Sequence, residues 1–260
     1  MRLLFVADVF GAAGRRIAER KLPELRERLD LDLVIVNGEN AADGAGITSA
    51  QAKRLLAAGA DVITLGNHAH RQREVYPYLD SESRIIRPAN MSASAPGRGE
   101  TVVTARDGTP VAVVNLLGRV FMDPATSPFE LAPGAVRSLR ERAQLVVVDF
   151  HAEATSEKVA MGRLLDGLAT AVIGTHTHVQ TSDAVVLPGG TAYITDAGMT
   201  GPHDSVIGVR TELILRRFTT GMPVRFEPAE GGVRLEGALI EADATGRATS
   251  ISAVRMSEDS

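Results

Sequence analysis

Leu33-Val34-Ile35-Val36-Asn37-Gly38-Glu39-Asn40 decides the fold: four apolar residues run straight into a polar cluster able to bind a metal. A short apolar run of this kind reads as a buried strand. Moving outward from it, the same pattern recurs. Upstream, Leu3-Leu4-Phe5-Val6-Ala7 stops at Asp8 and then Gly11. Downstream, Val62-Ile63-Thr64-Leu65 stops at Gly66-Asn67-His68, Leu145-Val146-Val147-Val148-Asp149 runs to His151, and Ala171-Val172-Ile173 stops at Gly174-Thr175-His176-Thr177-His178. Helical segments alternate with these strands. Residues 13–29 carry Ile17, Leu22, Leu25 and Leu29 among charges, with Pro23 a place to kink. A second helix starts at Thr48, whose hydroxyl can accept first-turn amides, and runs to about Ala58. A short helix is predicted over 69–80, and others near 134–143 and 155–166. This strand–helix rhythm implies parallel strands with helices on both faces.

The remaining segments differ. Residues 85–100 read as a loop, 101–105 and 111–116 as a hairpin through Asp107-Gly108, and 117–133 as irregular. Segments 184–187, 192–195, 211–219, 233–241 and 248–255 read as strands, so an antiparallel tail follows the α/β core. Residues 1–260 are expected to form one domain.

Composition narrows the function. With 28 Lys+Arg against 32 Asp+Glu, the formal charge is −4, which offers no general attraction to nucleic acid or anionic lipid. The absence of Cys removes disulfides, cysteine metal sites and thiol nucleophiles. No apolar run approaches the ~20 residues of a membrane helix, and MRLLFVADVF lacks the parts of a signal peptide. A cytoplasmic protein with no membrane partner and no stable nucleic-acid partner is expected. The open edge of the antiparallel tail makes a homo-oligomer an expectation too.

Singly, each polar cluster has an ordinary reading. Asp8 suits a strand end, Glu39-Asn40 a solvated turn, Asn67-His68 a helix cap, and His151 a satisfied buried histidine. Together they hold four of the six histidines, and ligands in open α/β sheets gather beyond the carboxyl ends of the strands. An extended 175–178 segment would put His176 and His178 on one side. The mixed nitrogen and oxygen donors suit Mn, Fe, Zn or Co better than Ca. Asp8, Glu39, Asn40, Asn67, His151, His176 and His178 are too many for one ion, so a pair of ions sharing Glu39 is expected, a centre suited to phosphoester hydrolysis.

Asp8-Val9-Phe10, Gly38-Glu39-Asn40, Gly66-Asn67-His68, the lone His151 and Gly174-Thr175-His176-Thr177-His178 resemble, in order and spacing, the motifs of the calcineurin-like metallophosphoesterase superfamily across roughly 1–200. Phe10 stands where that family has a metal-binding His, and Glu39 where it has a bridging Asp. Both departures, with Val36–Ala41, Asp149–Lys158 and Thr195–Pro202, resemble the YmdB-type bacterial branch. The resemblance implies a sandwich of central mixed β-sheets flanked by helices. It also implies iron or manganese, Asn40 in place of the missing His, and a small-molecule phosphodiester substrate such as a cyclic nucleotide.

On that footing, one ion is assigned Asp8, Glu39, Asn40 and His178, and the other Glu39, Asn67, His151 and His176. A bridging hydroxide attacks phosphorus, and His68 serves as the catalytic general acid. Arg71, Arg73 and Arg119 read as solvated charges that could reach a phosphate, and 196–201 as a turn that could border the pocket. One rival is a binuclear amidohydrolase, but its His-x-His lies near the start of an eight-unit barrel. Another is a nucleotide-binding regulatory protein with weak or no turnover.

Overall fold

Side chains of β1 (Arg2–Val6) divide by parity: Leu3 and Phe5 enter one core, Leu4 and Val6 another. A strand covered on both faces must be continuously apolar, which is why the N-terminal run contains no polar residue before its end. In chain order there follow β2 (Asp8–Val9), α1 (Gly11–Arg28), β3 (Leu33–Asn37), α2 (Ser49–Ala57), β4 (Val62–Thr64), α3 (Tyr76–Ser81), β5 (Ile85–Ile86), β6 (Glu100–Thr104), β7 (Pro110–Leu117) and α4 (Pro128–Arg140). The second half holds β8 (Leu145–His151), α5 (Thr155–Leu164), β9 (Ala171–Thr175), β10 (Val185–Val186), β11 (Ala192–Ile194), β12 (Met199–Pro202), α6 (Thr211–Thr220), β13 (Val233–Ala242) and β14 (Ala248–Ser257). This computed structural model describes residues 1–123 and 125–258; Pro124, within the stretch read as irregular, and Asp259 and Ser260, within the expected domain, lie outside them.

Two mixed sheets result. One runs β2-β12-β13-β1-β3-β4-β5, with β14 on the other edge of β13; the second runs β10-β11-β9-β8-β7-β6. Leu3, Phe5, Leu33, Ile35 and Ile240 of the first meet Val111, Val113, Val147, Ile173 and Ile194 of the second in a shared interior. Ile17, Leu22, Leu25 and Leu55 of α1 and α2 cover the outer face of the first sheet. Val136, Leu139 and Met161 of α4 and α5 cover that of the second. The architecture is the calcineurin-like sandwich with helices outside. β1, β3 and β4 are parallel neighbours, as are β7, β8 and β9, so their carboxyl ends lie on common edges. Among the described residues no helix is long and apolar enough to cross a membrane.

Several boundaries differ from the sequence reading. Residues 211–219, read as a strand, form α6; Ile214 alone on it is buried, so the apolar stripe that betrays a helix is one residue wide. The segment over 69–80 is helical only from a 3-10 turn at Arg73–Val75 into α3. Ile85–Ile86 inside the predicted loop pairs with β4, and α4 begins at Pro128, inside the stretch read as irregular. The helix containing Pro23 continues through it.

Candidate metal centre

His151 closes β8 and is fully buried. Its Nδ1 donates to Thr175 Oγ1 at 2.9 Å, and that hydroxyl donates to Asp149 Oδ1 at 2.7 Å. The chain fixes the ring with Nε2 turned toward the carboxyl ends of the strands. There Nε2 lies 3.1 Å from Glu39 Oε1, 3.1 Å from Asn67 Oδ1 and 3.0 Å from His176 Nδ1. Four donor atoms from the ends of β3, β4, β8 and β9 thus crowd one point. Glu39 Oε2 accepts from the His68 amide at 3.1 Å. Only glycine fits at 66, since a Cβ there would collide with Glu39 Oε2 and the His151 ring.

Asp8, at the start of β2, is buried, and among the described residues neither carboxylate oxygen has a hydrogen-bond partner. An ionic contact joins it to His178 Nε2, 3.3 Å from Oδ2. A buried carboxylate without donors is costly unless a cation faces it. Asn40 Nδ2 lies 3.1 Å from both Glu39 Oε1 and His178 Nε2, while its Oδ1 faces His68 Nδ1 at 2.9 Å. An orphaned carboxylate and a cluster of nitrogen and oxygen donors fit a metal centre; Glu39, His151 and His176 alone already supply three convergent ligand atoms. Phe10 is buried edge-on to His178, 5.6 Å between ring centroids, and offers no ligand atom.

The His-x-His segment is not extended. His176 has φ 99° and His178 φ 63°, left-handed values that cost a non-glycine residue about 1–2 kcal/mol. Both rings still reach one cavity, by strained turns rather than by strand alternation. Thr177 between them is pinned: its amide and hydroxyl donate to Asp196 Oδ2 at 3.0 and 2.7 Å. Lys158 Nζ donates to the same oxygen at 2.7 Å and to Thr177 Oγ1 at 3.1 Å, with Lys158 and Asp196 both buried.

The buried charges shift one another. Burial favours a neutral Glu39, but the His151 charge and the hydrogen bonds from His151 and His68 outweigh it and hold the carboxyl well below its usual range. Burial likewise opposes a charge on His151, yet Glu39, Asp8 and Asp149 raise it to about 9. Burial and then the His151 charge push His176 down to about 3. Burial lowers His178, but the Asp8 carboxylate paired with it carries it above its ordinary value. Burial raises Asp149 to about 6.

One cavity of about 570 Å³ opens over this cluster, with Glu39, Asn40, His68, His176 and His178 in its wall. Asp8 and His151 sit beneath it in contact with His178 and Glu39, and Asn67 touches His151. Arg71, Arg73, Arg119 and the 196–201 segment do not line it. Met199–Pro202 instead forms β12 beside β2 and β13. Sequence reasoning missed the groups that hold the rings: Thr175 for His151, Glu153 Oε2 at 3.0 Å from His176 Nε2, and the Ile207 carbonyl accepting from His178 Nδ1 at 2.9 Å. Glu153 alone had a signal, as a carboxylate two residues past a strand-end His.

A family model described as YmdB-like protein matches residues 4–254. The chain is 45% identical over 260 residues to the 2′,3′-cyclic-nucleotide 2′-phosphodiesterase of Bacillus subtilis (strain 168), across 100% of this chain and 98% of that relative. Two solved structures superpose along nearly the whole chain. A hypothetical protein from Thermus thermophilus has a TM-score of 0.93 and 44% identity, covering 99% of this chain and 100% of that one. A novel phosphatase of Mycoplasma pneumoniae has a TM-score of 0.92 and 36% identity, covering 99% and 93%. A match over nearly every residue leaves no part of the sandwich or its strand-end clusters unaccounted for, and the chain belongs to the YmdB-like family of calcineurin-like metallophosphoesterases.

Proposed function

We propose that the chain is a cytoplasmic metal-dependent phosphodiesterase acting on cyclic nucleotides, 2′,3′-cyclic and also 3′,5′-cyclic, with broader phosphoesterase side activity. The observation that carries this reading is the convergence of Glu39, Asn67 and His176 donor atoms within 3.1 Å of His151 Nε2, beside the orphaned Asp8. Glu39, Asn67, His151 and His176 would hold one ion, and Asp8, Glu39, Asn40 and His178 the other, with Fe or Mn suited to the donors. Such a pair supplies an acidified water and neutralises phosphate oxygens.

The protein's own groups orient and protonate. Glu153 and Thr175 fix the two rings so that lone pairs face inward. His68 is 24% exposed by side chain and lines the cavity, so its Nε2 is placed to meet a departing oxygen. Asn40 Oδ1, 2.9 Å from His68 Nδ1, accepts from it and orients the ring, so His68 acts as an acid when it carries its second proton on Nε2.

His68→Ala should keep both metals and lose about 10²–10⁴ in kcat on an alkyl diester, with a much smaller loss on a nitrophenyl diester. Elemental analysis with kinetics on both substrates checks it, and equal losses would remove the acid role. If metal-loaded wild type binds cyclic nucleotides without turning them over, the sensor reading replaces this one.

Metal binding should also release a proton. The metal-free chain carries one on His151 at neutral pH, because its pKa is about 9. A cation that takes the Nε2 lone pair displaces it. Apparent affinity should therefore rise by up to tenfold per pH unit below about 9 and level off above it. Calorimetry in two buffers of different ionisation heat would show about one proton released at this site near neutrality; no release would contradict the assignment of His151.

A further inference from the structure

The same cavity has a second wall. Besides the donor cluster it is lined by Phe10, Ile207, Val209, Ile214, Phe226 and Pro228, most of them from the 205–228 segment that carries α6. Ile207 is 51% exposed and Phe226 48%, although both are large and apolar. No Lys or Arg lines the cavity, and the carboxylates Asp43, Glu153 and Glu227 do. A ligand bound there can carry little anionic charge beyond the group held by the donor cluster, and its remainder must be apolar and flat.

Ile207 adds an independent observation. Val206 and Val209 exchange both amide hydrogen bonds, at 2.9 and 3.0 Å, so Ile207-Gly208 is a two-residue hairpin loop. Both central residues have positive φ, 46° and 101°, the pattern of a type I′ turn that favours Asn-Gly. A β-branched Ile is a poor choice for that turn and a strained one. Its side chain stands in the cavity wall while its carbonyl holds His178.

We infer that this apolar wall is the subsite for the heteroaromatic base of the substrate, gripped by Phe226 and Ile207. The inference rests on the phosphodiesterase reading and deepens it. In a cyclic nucleotide the phosphate is fused to the ribose, so the base is the group left to reach the second wall. At about 570 Å³ the cavity falls within the ~300–1,000 Å³ of small-molecule sites.

The test is the ratio of kcat/KM for 2′,3′-cyclic AMP to that for glycerol 1,2-cyclic phosphate, which has the same ring ester and no base. Wild type should prefer the nucleotide. Phe226→Ala and Ile207→Asn should each shrink that preference by roughly tenfold, the scale of base–aromatic and apolar contact. Ile207→Asn should do so with undiminished Tm and full metal content, because Asn suits the turn. A ratio equal to wild type in both variants, or a wild type indifferent to the base, overturns the subsite. A metal-loaded wild type that cleaves neither ester overturns the phosphodiesterase reading instead.

Discussion

Glu39→Gln should cost at least about 10⁴ in kcat on a cyclic diester and lower the bound metal below two ions per chain. The variant keeps shape and removes one negative charge at the point where both proposed ligand sets overlap. Glu39 is 1% exposed, and His151, His68 and Asn40 face its oxygens. A metal pair contributes several kcal/mol of charge stabilisation and the acidified water, and about 1.4 kcal/mol is a decade in rate. Losing the shared carboxylate removes both contributions at once. The fold should survive. His151 loses the neighbour that raises its pKa most and can shed its proton rather than keep a less compensated buried charge. Metal analysis, a thermal melt and turnover on one sample decide it. If the Glu39→Gln variant holds two ions and turns over at a near-normal rate, Glu39 only supports the site.

The strand-end clusters were legible because the sandwich leaves their strands no exposed face. When every residue of a strand is buried, polar residues gather at or near its carboxyl end, and parallel pairing puts those ends on one edge. That is why Asp8, Glu39, Asn67, His151 and His176 could be assembled from spacing alone. The second sheet was harder, since an apolar run does not say which partner sheet covers it. Local conformation was harder still. His176 and His178 adopt left-handed backbone because Lys158 and Asp196, from other elements, tie down Thr177, and no local pattern records a tether of that kind. Helix α6 escaped notice because its support is a single buried Ile214, and the arm that carries it forms the cavity's apolar wall. The arginines considered as phosphate contacts lie outside the cavity, so charge along the sequence was a poor guide to the site.

That tether yields the largest expected change in stability. Lys158→Met should lower stability by about 3–5 kcal/mol, a fall in Tm of roughly 10 °C for a chain of this size. Lys158 is 1% exposed and Asp196 0%, so the substitution strands a carboxylate in the interior with the amides of Thr177 and Gly198 and the Thr177 hydroxyl as its remaining donors. Removing one member of a buried ion pair costs far more than the pair contributes, since the survivor keeps its desolvation penalty without its partner. Activity should fall as well, for the strain at His176 and His178 is held by the oxygen that Lys158 anchors. Lys158→Arg restores the charge, but its planar guanidinium cannot reproduce an ammonium lodged between Asp196 and Thr177, so rescue should be partial. Chemical denaturation, with metal content and turnover read in parallel, separates the two effects. If the Lys158→Met variant is as stable as wild type, the pair is neutral to the fold, and the strained His-x-His turn needs another support.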